Sequence, residues 1–397
     1  MVTHAKVLAS PVDYIKSVQD LAPAFAAGQA HAETFSELDP QLVAEMHSAG
    51  LFRMLLPAWL NGGALDPLTY LSIVEEIARH DASAAWCVNQ GSGCSMVAGN
   101  LDEATARRVF GSPGDVLAWG PSPGARAVAV DGGYRLNYAG SFASGSRHAT
   151  WLGALCQVYN SDGTARMQSD GRNNMRAFMF PKARADIRKV WDVAGLRGTG
   201  SDSYVVSDLF VPAEFSVIRD DKDTRRDPSP HYRYSSSLIY ASGFAHVGLG
   251  IARGFMEDFL DLAVHKMPRD ARNSLRDIAT VQAGTALCKA KWESARHYLR
   301  ACVGEAWDTA VRSGSPTPAQ RVAIRLASTH AIHSAKDVVD ILYDAAGSHA
   351  ILKSGPFERR FRDMHAVTQQ LQGRKSHFEN VGRFLLGHDV DLASLQI

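Results

Sequence analysis

Along this chain the spacing of apolar residues changes period twice, and that constrains the fold more than any other feature. From Pro11 to about Arg108 the period is helical. Leu68, Leu71, Ile73, Val74 and Ile77 line one side of PLTYLSIVEEIAR, with Glu75 and Glu76 on the wet side. Asp66-Pro67 opens that helix with a capping residue and a proline at its first position, after the turn-rich break Pro57 to Gly63. From about Asp115 to Val217 the pattern becomes short β-branched and aromatic runs such as GYRLNYAG, TWLGALCQVYN and SYVVSDLFVP. Turn signals DGG, NSDG and SDGRNN separate them. From Ser237 the helical period returns in long segments.

Helices, strands and helices in that order predict an α+β architecture. The expected divisions are an N-terminal helical domain at 1–114, a central β-domain at 115–218 and a C-terminal helical bundle at 235–397. The frequency of turns predicts a compact barrel or sandwich for the centre. The charged, proline-broken stretch Arg219 to Tyr234 is read as a linker. One C-terminal helix is expected to end at Gly347, and a single last helix to carry Phe357 to Leu386.

Composition removes several functional classes. With 42 Lys+Arg against 41 Asp+Glu, the chain has no basic excess to draw nucleic acid. Its five cysteines, Cys87, Cys94, Cys156, Cys288 and Cys302, form no CxxC pair, so a zinc site or disulfide framework is not indicated. No run reaches the roughly 18 apolar residues of a membrane span, and the start lacks a secretory pattern. A cytoplasmic protein without membrane or metal is expected.

Three motifs fail on inspection. Gly248, Gly250 and Gly254 have the wrong spacing for a dinucleotide loop and sit in a helical pattern, which suits close helix packing. His330 and His333 lack a third ligand at a fitting spacing. Gly120 to Gly124 spells Gly-x-Ser-x-Gly, but Pro123 follows Ser122 and has no N–H to hold an oxyanion.

Five segments in order carry a resemblance. They are AGLFRMLLPAWLNGG (Ala49–Gly63), EEIARHDASAAW (Glu75–Trp86), GGYRLNYAGSFASGSRHATWLGA (Gly132–Ala154), VWDVAGLRGTGSDSYVVSDLFVP (Val190–Pro212) and AAGSHAILKSGPFERRFRDMHAVTQQ (Ala345–Gln370). Together they resemble the acyl-CoA dehydrogenase superfamily over nearly the whole chain, and more closely its flavin-dependent monooxygenase branch. That branch includes two-component aromatic hydroxylases and dibenzothiophene and indole oxygenases.

The resemblance implies a helical domain, a central β-barrel and a C-terminal four-helix bundle, assembled as a homotetramer. It also implies FAD or FMN, delivered reduced by a separate reductase. Ser141 and Ser144 would run along the flavin, with Ser144 near its reactive edge, although a hairpin end alone also explains SFASGS. Trp191, Thr199 and Ser201 resemble the second flavin stretch, with a glycine-rich connection as the lesser alternative. Trp119, Ser122, Gly347 and Ser348 join them as flavin contacts. Arg269 and Arg272, at a helix break, are candidates for its phosphate, donated by a neighbouring subunit; a solvated turn is the other reading. Trp86, Cys94, His148 and Gln370 would wall the substrate, and Ser144, Asn89 and Gln370 are the catalytic positions.

The implied reaction is hydroxylation of a small aromatic by O2 through a flavin C4a-hydroperoxide. The rivals are an acyl-CoA dehydrogenase holding FAD and a non-catalytic flavin-binding member of the fold. One dehydrogenase branch keeps a base glutamate where Leu371 stands here; another takes it from a helix around Glu257 to Asp261. Monooxygenase relatives commonly place a histidine near Gln370 and another near Cys94. Glutamine cannot titrate, so an indole-like ring fits better than a phenol.

Overall fold

In a computed structural model, residues 11–269 and 272–391 are described. Six helices come first: α1 Pro11–Asp20, α2 Ala22–Phe35, α3 Pro40–Ser48, α4 Pro67–His80, α5 Ala82–Ser95 and α6 Glu103–Phe110. Aspartate starts four of them. Asp39, Asp66, Asp81 and Asp102 each accept a first-turn backbone N–H, satisfying donors a helix leaves open.

Eight strands follow: β1 Leu117–Ala118, β2 Arg126–Val130, β3 Gly133–Ala143, β4 Trp151–Tyr159, β5 Met175–Pro181, β6 Asp186–Arg188, β7 Asp202–Pro212 and β8 Ser216–Val217. They pair in the order β6-β7-β3-β2-β4-β5-β8, with β1 beside β4. This is an open mixed sheet, so the expected closed barrel is corrected. It curls enough for the Tyr204 hydroxyl on β7 to donate to the Gly153 carbonyl on β4. The short β6 and β8 end the path instead of meeting.

The C-terminal part holds α7 Ser236–His265, α8 Ala279–Ser313, α9 Pro318–Ala346, α10 Phe357–Gln369 and α11 Ser376–Leu385. Helix α9 opens with a reciprocal capping box between Thr317 and Gln320. It packs against α7, α8, α10 and α11. The expected single last helix is two, because the chain turns at Leu371–Gly373. There the Gln370 side chain accepts the Gln372 N–H, and a Cβ at Gly373 would press on the Thr368 carbonyl at 2.9 Å.

Two sequence readings change in physical terms. Glu75 and Glu76 are buried and ion-paired, to Arg296 and Arg253, instead of facing water. The 219–234 stretch is strapped down rather than free: Trp59 donates to Asp227 at 2.6 Å, Asn100 donates to the Asp221 carbonyl, and Asp220 caps Ser236 at the start of α7. The α7 glycines serve close packing. A Cβ at Gly250 would meet the Glu75 carbonyl at 2.4 Å, so α7 lies directly on α4. Of the two histidines, His333 pairs with the Gly373 carbonyl at 2.9 Å and His330 lies beside Ser334.

Candidate active site

The ladder between β3 and β7 shifts register between Gly140 and Ala143. One extra residue there makes a bulge, a device that re-aims side chains near sites. Phe142 takes φ +55° and stands 65 % exposed, a strained state for an aromatic residue. Its ring meets Trp191 edge to face, with centroids 6.1 Å apart. Against the bulge lies Gly120, where a Cβ would sit 1.8 Å from the Ser141 carbonyl oxygen. The backbone N–H of Ser141 donates to the Pro121 carbonyl at 3.1 Å. Trp119, Ser122 and Ser141 are thus brought to one place.

Behind the bulge runs a chain of hydroxyls. Trp86 Nε1 donates to Ser144 Oγ at 3.0 Å; Ser144 and Ser201 hydroxyls are 2.7 Å apart, as are those of Ser201 and Thr199. Thr199 closes the chain by donating to the Leu196 carbonyl at 2.9 Å. The two loops are also tied through backbone, Gly145 N–H to the Thr199 carbonyl at 2.8 Å. Gly200 and Gly145 have positive φ, which lets both loops fold this tightly.

Two buried carboxylates set the ends of the second loop, and the sequence reading gave neither a role in the site. Asp202 accepts the backbone N–H groups of Val190 and Trp191 at 3.0 and 3.1 Å and pairs with Arg147. Asp363, on α10, accepts the Leu196 N–H at 2.6 Å, and burial raises its pKa to about 6. Leu196 is itself left-handed at φ +53°. Beside it, Arg362 donates to the Ala194 carbonyl. A Cβ at Gly195 would lie 2.2 Å from the Arg362 carbonyl oxygen, so helix and loop touch backbone to backbone.

Helix α5 supplies the other wall. Its Trp86 ring lies 4.1 Å from Phe244 of α7, and Tyr240 stacks on Phe244 at 6.0 Å. Cys94 Sγ is 3.3 Å from the Tyr240 hydroxyl, and burial pushes its thiol up to about 12, so it stays neutral. Asn89 accepts from the Tyr70 hydroxyl at 2.9 Å, while its amide nitrogen is buried without a partner. His148 packs below Gly145 and against Phe52, its pKa pushed down to about 3 by burial, so it is neutral. Beside Trp191 an open groove of about 350 Å³ is lined by Phe35, Arg147, Lys189 and Val190 among others.

Gln370 folds its carbonyl onto its own turn, and among the described residues its amide nitrogen is buried without a partner. Four predicted residues stand apart. Arg269 and Arg272 are exposed past the far end of α7. The helix continues 21 residues from Phe244 to His265, a rise of roughly 30 Å from the Trp86 contact. Gly347 and Ser348 are exposed at the same end, where Lys266 donates to the Ala346 carbonyl.

The N-terminal domain model of acyl-CoA dehydrogenase matches residues 15–110, and its C-terminal domain model matches 242–372. Together they span more than half of the chain, which belongs to the acyl-CoA dehydrogenase superfamily. Within it, the chain falls on the flavin-dependent monooxygenase branch. It is 29 % identical over 339 residues to indole-3-acetate monooxygenase of Pseudomonas putida, covering 85 % of this chain and 84 % of that protein. Two solved structures share its fold. One is XiaF from Streptomyces sp. with FADH2 and glycerol, at TM-score 0.87 and 21 % identity over 96 % of both chains. The other is TdsC from Paenibacillus sp. with FMN and indole, at TM-score 0.78 and 20 % identity over 97 % and 99 %.

Proposed function

We propose that this chain is the oxygenase component of a two-component flavin-dependent monooxygenase acting on a small aromatic, indole-like substrate. The carrying observation is the hydrogen-bonded line Trp86–Ser144–Ser201–Thr199, which ends on the Leu196 carbonyl that Trp191, packed on the strained Phe142, also donates to. Those residues fit a flavin: two aromatic faces for a planar ring, hydroxyls for its polar edge, and glycines that allow close backbone approach. Reduced FAD or FMN, delivered by a partner reductase, would supply the activation of O2.

The protein's own work is positioning and exclusion of water. Ser144 accepts from Trp86 and, because Thr199 gives its proton to Leu196, donates to Ser201, which leaves it a lone pair to meet a ring N–H. Trp86, Phe244 and Tyr240 give a planar substrate a stacking wall. The acyl-CoA dehydrogenase alternative needs a carboxylate free to take a proton. Glu257 is ion-paired to Arg79 and Arg253, and Asp258 to Arg360, which disfavours both as bases.

The division at 1–114, 115–218 and 235–397, a four-helix arrangement around α9, a homotetramer and a cytoplasmic location belong to the same reading. No helix among the described residues is long and apolar enough to cross a membrane. Exposed Leu260 and Val264 on α7, Leu287 on α8 and Leu385 on α11 favour assembly through the C-terminal helices. The test is to supply chemically reduced FAD or FMN with indole under ¹⁸O₂. Labelled product supports the reading; oxygen consumption that indole never alters, with no labelled product, sinks it. A stable monomer in light scattering would remove the tetramer.

A further inference from the structure

Helix α5 is buried at every position from Ala82 to Ser95 except Gln90. In a helix otherwise enclosed, the one partly exposed residue marks where the packing opens. Around it, Trp86, Trp119 and Tyr240 keep 8–9 % of their surface exposed, although each belongs to the core. Trp86, Gln90 and Cys94 are four residues apart and share one face of the helix. The opening therefore lies between α5, α7 and the turn after β1, beside the Trp86–Ser144 hydrogen bond.

The Gln90 amide is not free to turn. Its Nε2 donates to the Trp119 carbonyl at 3.2 Å and approaches Cys94 Sγ at 3.5 Å. An amide whose nitrogen is held by an acceptor must turn its oxygen away. Among the described residues Gln90 Oε1 has no donor, while Cys94 and Tyr240 are occupied with each other. What the opening offers is thus one oriented neutral acceptor between aromatic walls.

We infer that Gln90 is a specificity-determining residue that accepts a hydrogen bond from a ring N–H of the aromatic substrate. This rests on the monooxygenase reading and narrows it to flat heteroaromatics carrying a donor. A ring of the same shape with sulfur in place of N–H leaves the acceptor unpaired.

The experiment compares indole with benzothiophene on the native chain and on Gln90→Met, which keeps length and removes the acceptor. Binding is followed by calorimetry without flavin, and coupled product formation with reduced flavin. The native chain should prefer indole, and Gln90→Met should lower the indole-to-benzothiophene affinity ratio by about two- to tenfold, one neutral hydrogen bond. Benzothiophene affinity itself should hardly change, which a misfolded variant would not reproduce. An unaltered ratio in a variant that still turns over overturns the inference and leaves the monooxygenase reading intact. So does weaker binding of reduced flavin with no change in ratio, since Gln90 would then face the cofactor. Absence of any indole-dependent oxygen use in the native chain would instead remove the underlying reading.

Discussion

The residues the sequence marked for flavin fall into two groups, built in opposite ways. The first, around Ser144, Thr199, Ser201 and Trp191, is finished within one chain: buried hydroxyls in a line, left-handed backbone at Phe142 and Leu196, buried carboxylates behind it. The second, Arg269, Arg272, Gly347 and Ser348, is exposed roughly 30 Å along α7. Strain persists only where surroundings enforce it, so the first group carries the cost of a preformed site. The second has the character of a surface that another copy would complete.

The largest expected effect comes from breaking the enforcement. Gly195→Ala places a methyl group 2.2 Å from the Arg362 carbonyl oxygen, so loop or helix must move. Overpacking of backbone against backbone should cost about 3 kcal/mol, the upper end of its usual range. A clear drop in thermal midpoint with loss of flavin binding is expected. An unchanged midpoint would mean that α10 does not hold this loop.

Next is Asp363→Asn, which separates the carboxylate's charge from its hydrogen bond. Because burial raises the folded pKa to about 6, the native state holds that proton more tightly than the unfolded chain. The stability this contributes is complete below the unfolded value of about 3.9 and is lost as pH rises through about 6. Asparagine never ionises and still offers a carbonyl to the Leu196 N–H. The variant should gain on the native protein between pH 4 and 8, by about 2–3 kcal/mol. A stability difference independent of pH would show that Asp363 has the same pKa in the folded and unfolded chain.

How legible this was follows from the kind of signal each residue leaves. The periodicities and Asp66-Pro67 announced helices, because capping and packing are local. Ser144, Thr199 and Ser201 were marked by the resemblance of their segments to the family's flavin-contacting stretches, whose hydroxyls and glycines suit that role. Asp202 and Asp363 left no such trace: each acts on backbone N–H groups, Asp363 across 167 residues, and any sequence would supply those donors. Gln90 was invisible because nothing in ASAAWCVNQGSGCS says which position escapes burial. The open sheet, too, depends on how β6 and β8 end, which strand patterns do not encode.

A smaller effect should follow Trp86→Phe. Phenylalanine keeps the contact with Phe244 and deletes the donor to Ser144, worth about 1 kcal/mol net. Ser144 keeps Ser201 as partner, so the fold should survive with at most a few degrees lost. Reduced-flavin affinity should fall several-fold. If only stability changes, the hydroxyl line is scaffolding and not a flavin edge.

The smallest effect on stability, and the sharpest test of the comparison, is reversal of charge in the second group. Arg269 and Arg272 are exposed, so Arg269→Glu with Arg272→Glu should shift unfolding by no more than about 0.5 kcal/mol, as surface changes do. If another copy brings this surface to the first group, the same variant should bind reduced flavin at least tenfold more weakly, because charge-assisted hydrogen bonds contribute about 1.5–3 kcal/mol. Native affinity should also fall with added salt, and the variant's should not, since screening acts on a charge contact that it lacks. The two groups are then halves of one site, separable because only one is needed for folding. Equal flavin affinity and equal salt dependence in a variant of unchanged assembly would confine the cofactor to the first group and leave Arg269 and Arg272 as a solvated turn.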